Sequence, residues 1–250
     1  MAGGKRRRLV VWLRPRGALK LAACVAAVGL LALLLADRFH AARMWKPWGL
    51  PLAGKVLAVD AGHGGPDGGA ESREGLVEKD IALSVALYLR DYLQQAGAVV
   101  VMTREEDIDL ADPGTSGLSR RKTEDLLARV RLVESSGADM LVSVHLNSTP
   151  SARWRGAQVF YHRTNAQAAR LAACIQAELR RALGNTDREA LPVETKFLLK
   201  ALRIPGVIVE AGFLSNPEEA RLLADPVYQR KMAEAVYRGV LRYAVETKNE

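Results

Sequence analysis

From residue 55 onward, short apolar runs alternate with longer stretches in which apolar side chains recur every three or four positions. The short runs are bounded by glycine and polar residues and predict buried strands at 56–60 (VLAVD), 98–102 (AVVVM), 140–145 (MLVSVH), 157–161 (AQVFY) and 206–210 (GVIVE). Between the first two, Ile81, Leu83, Val85, Leu87 and Leu89 trace a helix over 78–96, which Gly97 stops. Leu126, Leu127, Val130 and Val133 mark a second helix over 119–136, 166–183 reads as a third, and one or two more fill 217–245. A further short strand is expected near 197–200. The polar stretch 103–117 is long for a connection inside a compact domain, which predicts a functional or mobile loop. Strands and helices in alternation argue an α/β fold: a mostly parallel sheet flanked by helices on both faces, in a single domain spanning 55–250.

The front of the chain follows another pattern. Residues 21–36, LAACVAAVGLLALLLA, form a sixteen-residue run without a charge, and 17–19 extend it if Lys20 snorkels to the headgroups. The whole is about 30 Å of helix, the thickness of a bilayer core. Seven basic residues precede the run and two follow it before Lys46. The positive-inside bias therefore makes 1–20 a basic cytoplasmic segment, 21–36 a transmembrane anchor, 37–54 a linker, and 55–250 an extracytoplasmic domain. A cleaved signal segment, which would leave the domain secreted, is the competing reading; DRFHAARMW downstream offers no A-x-A site. Cys24 follows LAA as in a lipoprotein box, but the apolar run lies after the cysteine instead of before it. Trp45 and Trp48 in WKPWGLP fit either an interfacial belt or an ordinary proline-stiffened linker.

Charge sharpens this division. The chain has 36 Lys plus Arg against 28 Asp plus Glu, a formal +8 with a pI of about 9.7, which by itself suggests a nucleic-acid partner. Residues 1–46, however, hold ten basic side chains and one acid, Asp37, leaving 26 basic and 27 acidic groups over the other 204 residues. A domain of net −1 has no bulk field for a run of phosphates, so no nucleic-acid partner is expected. At 49% hydrophobic residues the chain can build a substantial core, which excludes disordered and disulfide-stapled classes. With only Cys24 and Cys174 available, any metal must be held by histidine and carboxylate.

In open parallel sheets, ligands bind beyond the carboxyl ends of the strands. His63 lies just past the end of the first strand in AGHGGPDGG, His145 ends the strand at 140–145, Glu210 ends the strand at 206–210, and Glu78 opens the helix after the His63 loop. Two imidazoles and a carboxylate leave one tetrahedral position of a Zn²⁺ ion open, the catalytic type of zinc site, and a second carboxylate nearby can accept a proton. Each residue also has a plainer reading. His63 could be a hydrogen-bonded loop residue, although the surrounding glycines admit a close approach; His145 could be a satisfied core group; Glu78 could be a helix N-terminal acid favoured by the dipole. Glu210 closes the apolar run VIV, where a carboxylate needs a partner or a task to offset desolvation. His40 and His162 have no comparable context. G-x-S-x-G, P-loop, HExxH and C-x-x-C motifs are absent, and Gly62-His63-Gly64 fails as a dinucleotide fingerprint because Asp67 occupies the third glycine position.

Five segments, VLAVDAGHGGPDGGA (56–70), GLVEKDIAL (75–83), VVVMTREED (99–107), SVHLNS (143–148) and VIVEAGFLSNPEEARLL (207–223), together resemble the zinc-dependent N-acetylmuramoyl-L-alanine amidases of bacterial cell-wall metabolism, the amidase 3 family. The resemblance runs in the family's order over 54–243. WKPWGLPLAGK (45–55), DIDLADPGTSGLSRRKTEDL (107–126), SARWRGAQVFY (151–161) and the short N-terminal anchor are most similar to the germination-specific spore-cortex members. It implies one Zn²⁺ per chain on His63, Glu78 and His145, with Glu210 as the catalytic carboxylate. Ala61 stands where many members have Pro and Ser148 where Ala is common; neither is a ligand position. The implied substrate is peptidoglycan, cut at the amide between the lactyl group of N-acetylmuramic acid and L-alanine. In the cortex subgroup this prepares muramic acid for conversion to muramic δ-lactam by a separate deacetylase. A zinc peptidase acting within wall peptides and a non-catalytic wall-binding protein are the alternatives. The expected partners are the wall and the membrane through the N-terminal helix; the sequence leaves open whether an activator protein is needed.

Overall fold

The computed structural model describes residues 26–29 and 50–248. The expected anchor at 21–36, Trp45 and Trp48, His40 and Cys24 lie outside the described residues, apart from a short helical stretch at 26–29. Among the described residues no helix is long and apolar enough to cross a membrane. Residues from Leu50 on form one compact unit.

Six strands, β1 (Val56–Ala61), β2 (Val99–Met102), β3 (Met140–Asn147), β4 (Gln158–His162), β5 (Leu191–Val193) and β6 (Gly206–Phe213), form one sheet in the order β2-β1-β3-β6-β4-β5. The helices are α1 (Glu78–Gln95), α2 (Leu118–Ser135), α3 (Ala166–Leu183), α4 (Phe197–Ala201), α5 (Pro217–Ala224) and α6 (Pro226–Lys248). Strands β2, β1, β3 and β6 are parallel, as the alternation of elements predicts. The sheet is nevertheless mixed, because β4 pairs antiparallel to β6 and carries β5 parallel to itself. The expected strand near 197–200 is instead the helix α4: Leu198 and Leu199 bury on one side of a single turn, and the short strand falls earlier, at β5.

Strand periodicity assigns the two faces different work. Leu57, Val59 and Ala61 of β1, Val142 and Val144 of β3, and Val207 and Val209 of β6 point into the large core under α1, α3, α5 and α6. The alternate positions face α2 and α4. There Ala58 and Leu141 join a smaller cluster with Val130, Val133 and Leu198, while Asp60, Ser143, His145 and Glu210 take the same face toward the strand ends. Side-chain caps set two helix starts: at this end Asn216, followed by Pro217, accepts from Glu218 and Glu219, and at the opposite end of the sheet Asn165 Oδ1 accepts from the Ala168 N–H at 2.9 Å.

Candidate metal centre

The β1–α1 loop turns sharply at His63, whose φ of 62° is the one positive value outside glycine among the described residues. Such a conformation is strained and must be held by its surroundings. Two arginines hold it. Arg129, on α2 and 1% exposed, donates to the carbonyl oxygens of Ala61 at 2.7 Å and His63 at 2.6 Å. Arg104 donates to Ala61 O at 3.0 Å and Gly62 O at 2.8 Å, and also to Lys79 O at the start of α1. Three successive carbonyls are thus fixed by two guanidiniums. Arg129 in turn pairs with Asp60 at 2.6 Å and Asp125 at 2.9 Å, and Asp60 accepts from Thr103 at 2.7 Å and Ser143 at 2.5 Å. Burial would push the Asp60 carboxyl up, but Arg129, His145 and these hydroxyls outweigh it and hold it at about 2.

The loop presents His63 Nε2 to Glu78 Oε1 at 3.2 Å, and His145 Nδ1 lies 3.0 Å from the same oxygen. One donor atom from each of His63, Glu78 and His145 lies within 4.8 Å of the others. Ligands on a tetrahedral Zn²⁺ with bonds of about 2.0–2.1 Å stand roughly 3.3 Å apart, so this donor set fits that ion in both spacing and chemistry. The outer contacts fit it too. His63 Nδ1 lies 2.8 Å from Asp67 Oδ2, which also pairs with Lys122 at 3.0 Å, and a carboxylate behind the second imidazole nitrogen orients a metal-binding ring. Glu78, 3% exposed, accepts from the backbone N–H groups of Ala70 at 2.8 Å and Leu146 at 2.9 Å. Burial alone would raise the Glu78 pKa, but His145 and His63 hold it well below the usual carboxylate range. For His63, burial works against a charge, yet Glu78 and Asp67 give a net upward shift. Gly62 leaves room for the imidazole of His145, with which any Cβ there would collide, and at Gly69 (φ 73°) a Cβ would fall 2.6 Å from Glu78 Oε2.

Glu210 is the Cα partner of His145 in the β3–β6 register. Its Oε1 accepts from Lys196 Nζ at 3.0 Å, whereas Oε2 is buried without a hydrogen-bond partner. The four positions singled out in the sequence therefore stand together at the carboxyl ends of β1, β3 and β6. His162 stays apart, its Nδ1 lying 2.9 Å from Thr164 Oγ1. The 103–117 stretch is tied down: Asp107 accepts from Gly65 N at 2.8 Å and Lys79 Nζ at 2.6 Å, and Asp125 from Leu110 N at 2.8 Å. Asp60, Asp67, Arg104, Arg129 and Lys196 were not singled out in the sequence. Asp60 could have been found by the argument applied to Glu210, since it too is an acid closing an apolar run; the arginines carry no local signal.

Two imidazoles and a carboxylate around one point, with a second carboxylate beside them at the strand ends of an α/β sheet, make a construction suited to metal-assisted hydrolysis. Residues 57–242 match the family described as N-acetylmuramoyl-L-alanine amidase, and the chain belongs to that family. It is 49% identical over 217 residues, 87% of this chain and 91% of the relative, to the germination-specific N-acetylmuramoyl-L-alanine amidase of Bacillus subtilis (strain 168). Among solved structures it is similar to the CwlD amidase from Clostridioides difficile in complex with the GerS lipoprotein, with a TM-score of 0.75 and 38% identity over 77% of this chain and 99% of that one. It also resembles an N-acetylmuramoyl-L-alanine amidase from Clostridium difficile 630, with a TM-score of 0.68 and 29% identity over 78% and 98% of the two chains. The protein is a peptidoglycan N-acetylmuramoyl-L-alanine amidase.

Proposed function

We propose that this amidase works with one Zn²⁺ held by His63, Glu78 and His145, and uses Glu210 as its general base and acid. The observation that carries this reading is the division of Glu210: Oε1 is engaged by Lys196, while Oε2 is buried and unpartnered on the same sheet face as His145. When bound, the ion supplies Lewis acidity toward the lactyl carbonyl and makes water acidic enough to attack at neutral pH. Glu210 Oε2 takes the proton from the attacking water and returns it to the L-alanine nitrogen as the amide breaks. Arg129 and Arg104 keep the His63 loop in its strained form, and Asp67 orients the His63 ring.

The biological setting we propose is the spore cortex, where removal of the stem peptide prepares muramic acid for δ-lactam formation by a separate deacetylase; the likeness to the germination-specific relative supports it. The apolar run 21–36 and its basic flank support a membrane anchor with the amidase domain outside the cytoplasm. The solved relative forms a complex with a lipoprotein, which supports a protein partner here too.

The test is digestion of purified peptidoglycan with and without chelator, followed by muropeptide analysis. We expect new N-terminal L-alanine and intact glycan, lost with chelator and restored by Zn²⁺. Cleavage inside the stem peptide would instead identify a peptidase. Glu210→Ala should retain zinc and lose activity, whereas His63→Ala and His145→Ala should lower zinc content; full turnover by Glu210→Ala would overturn the assigned role.

A further inference from the structure

The antiparallel entry of β4 continues the catalytic row. His145, Glu210 and Gln158 are successive register partners across β3, β6 and β4, so all three side chains take one face. Gln158 Oε1 accepts from Arg188 Nη1 at 3.1 Å. The Arg188 guanidinium lies 5.6 Å from the Trp154 ring centroid and 5.3 Å from that of Phe213, and Arg153 covers Trp154 at 5.2 Å. Trp154 is 44% exposed. Two guanidiniums and an open indole thus form a shelf next to Gln158.

This shelf is held from below. Buried Glu219 accepts from Gly156 N at 2.8 Å and Asn185 Nδ2 at 3.3 Å through Oε1, and from Phe213 N at 2.8 Å through Oε2. It joins the loop before β4, the loop before β5 and the end of β6. Gly156, at φ 92°, lets the first two meet, since a Cβ there would fall 2.8 Å from Asn185 O. Arg188 is bonded to an amide instead of an acid, and the neighbouring Glu189 is occupied by Arg180. A guanidinium fixed by two aromatic faces and one neutral acceptor keeps donors free for a planar anion, which it can bind as a fork.

We infer that Arg188 and Arg153, stacked with Trp154, bind a free carboxylate of the stem peptide beyond the scissile amide and select acidic over amidated peptides. The inference rests on the amidase assignment of the same site. The Arg188 guanidinium stacks on Phe213, three residues past Glu210 along β6 at about 3.3 Å per residue, so the shelf lies roughly 10 Å from Glu210. At about 3.5 Å per extended residue this reaches the second or third residue of the peptide.

Two matched muramyl tetrapeptides, one with free carboxylates at its second and third residues and one with both amidated, provide the probe. Wild type should favour the acid form about tenfold or more in kcat/KM, the effect of one good charge-assisted contact. Arg188→Ala should bring the ratio close to one through a higher KM for the acid form. Because Arg188 packs on Phe213, the exposed Arg153→Ala and Trp154→Ala variants give a second measurement, each expected to lower the ratio severalfold. A wild-type ratio of one, or a ratio unmoved in all three variants, overturns the shelf. Failure of wild type to cut either compound would count against the amidase assignment itself.

Discussion

Arg129 Nη2 lies 2.6 Å from the carbonyl oxygen of His63, so a residue buried on helix α2 holds the backbone of a proposed zinc ligand. The same side chain neutralises Asp60 and Asp125. Removing one member of such a buried network leaves the others unpaired, at about 3–5 kcal/mol. Arg129→Met should therefore lower unfolding stability by that amount and reduce zinc affinity as well. Urea unfolding and metal titration check the two effects; a stable variant with normal zinc binding would show that the arginine does not hold the loop.

The Asp60 carboxyl, held at about 2, makes a specific acid-stability prediction. Its folded pKa lies below the unfolded value, so its contribution is complete above the unfolded pKa and is lost as pH falls through the folded one. The shift corresponds to roughly 2 kcal/mol, lost between about pH 5 and pH 2. In Asp60→Asn that segment of the stability curve should flatten, with lower stability at neutral pH. Thermal unfolding across the range measures both.

Asp67→Asn keeps the shape of the acid behind His63 but removes its charge. Outer carboxylates of this kind typically contribute 10–100-fold to metal affinity. We expect a loss in that range with little change in unfolding stability of the metal-free protein, read by competition with a chromogenic chelator.

Gly62→Ala places a methyl group against the His145 ring. Overpacking of this kind costs about 1–3 kcal/mol, and here it also displaces a proposed ligand. The variant should fold, by circular dichroism, and hold less zinc after dialysis; wild-type zinc content would mean that the ring has room to shift.

Much of the candidate centre was visible in residue order because the side chains that converge there lie at or just past strand ends. An apolar run closed by a histidine or an acid announces both a buried strand and a group delivered to its end, which located His145 and Glu210. Glu78 was ambiguous for a physical reason: it is a helix N-terminal acid and it also faces the imidazoles. Arg129 and Arg104 escaped notice because a basic residue on an amphipathic helix, or after a strand, looks solvated until the fold closes over it. The helix α4 was read as a strand because a five-residue apolar segment is too short for its periodicity to decide.

The reversal at β4 has a consequence for how this enzyme can vary. Because β4 and β5 run opposite to the rest, it is the segments entering them, carrying Arg153, Trp154 and Arg188, that arrive at the rim where β1, β3 and β6 deliver His63, His145 and Glu210. The proposed chemistry and the proposed selectivity thereby fall on separate stretches of chain. With the roles proposed above, changes in the 148–156 and 184–190 segments should alter which peptides are accepted and leave His63, Glu78, His145 and Glu210 untouched on their own elements.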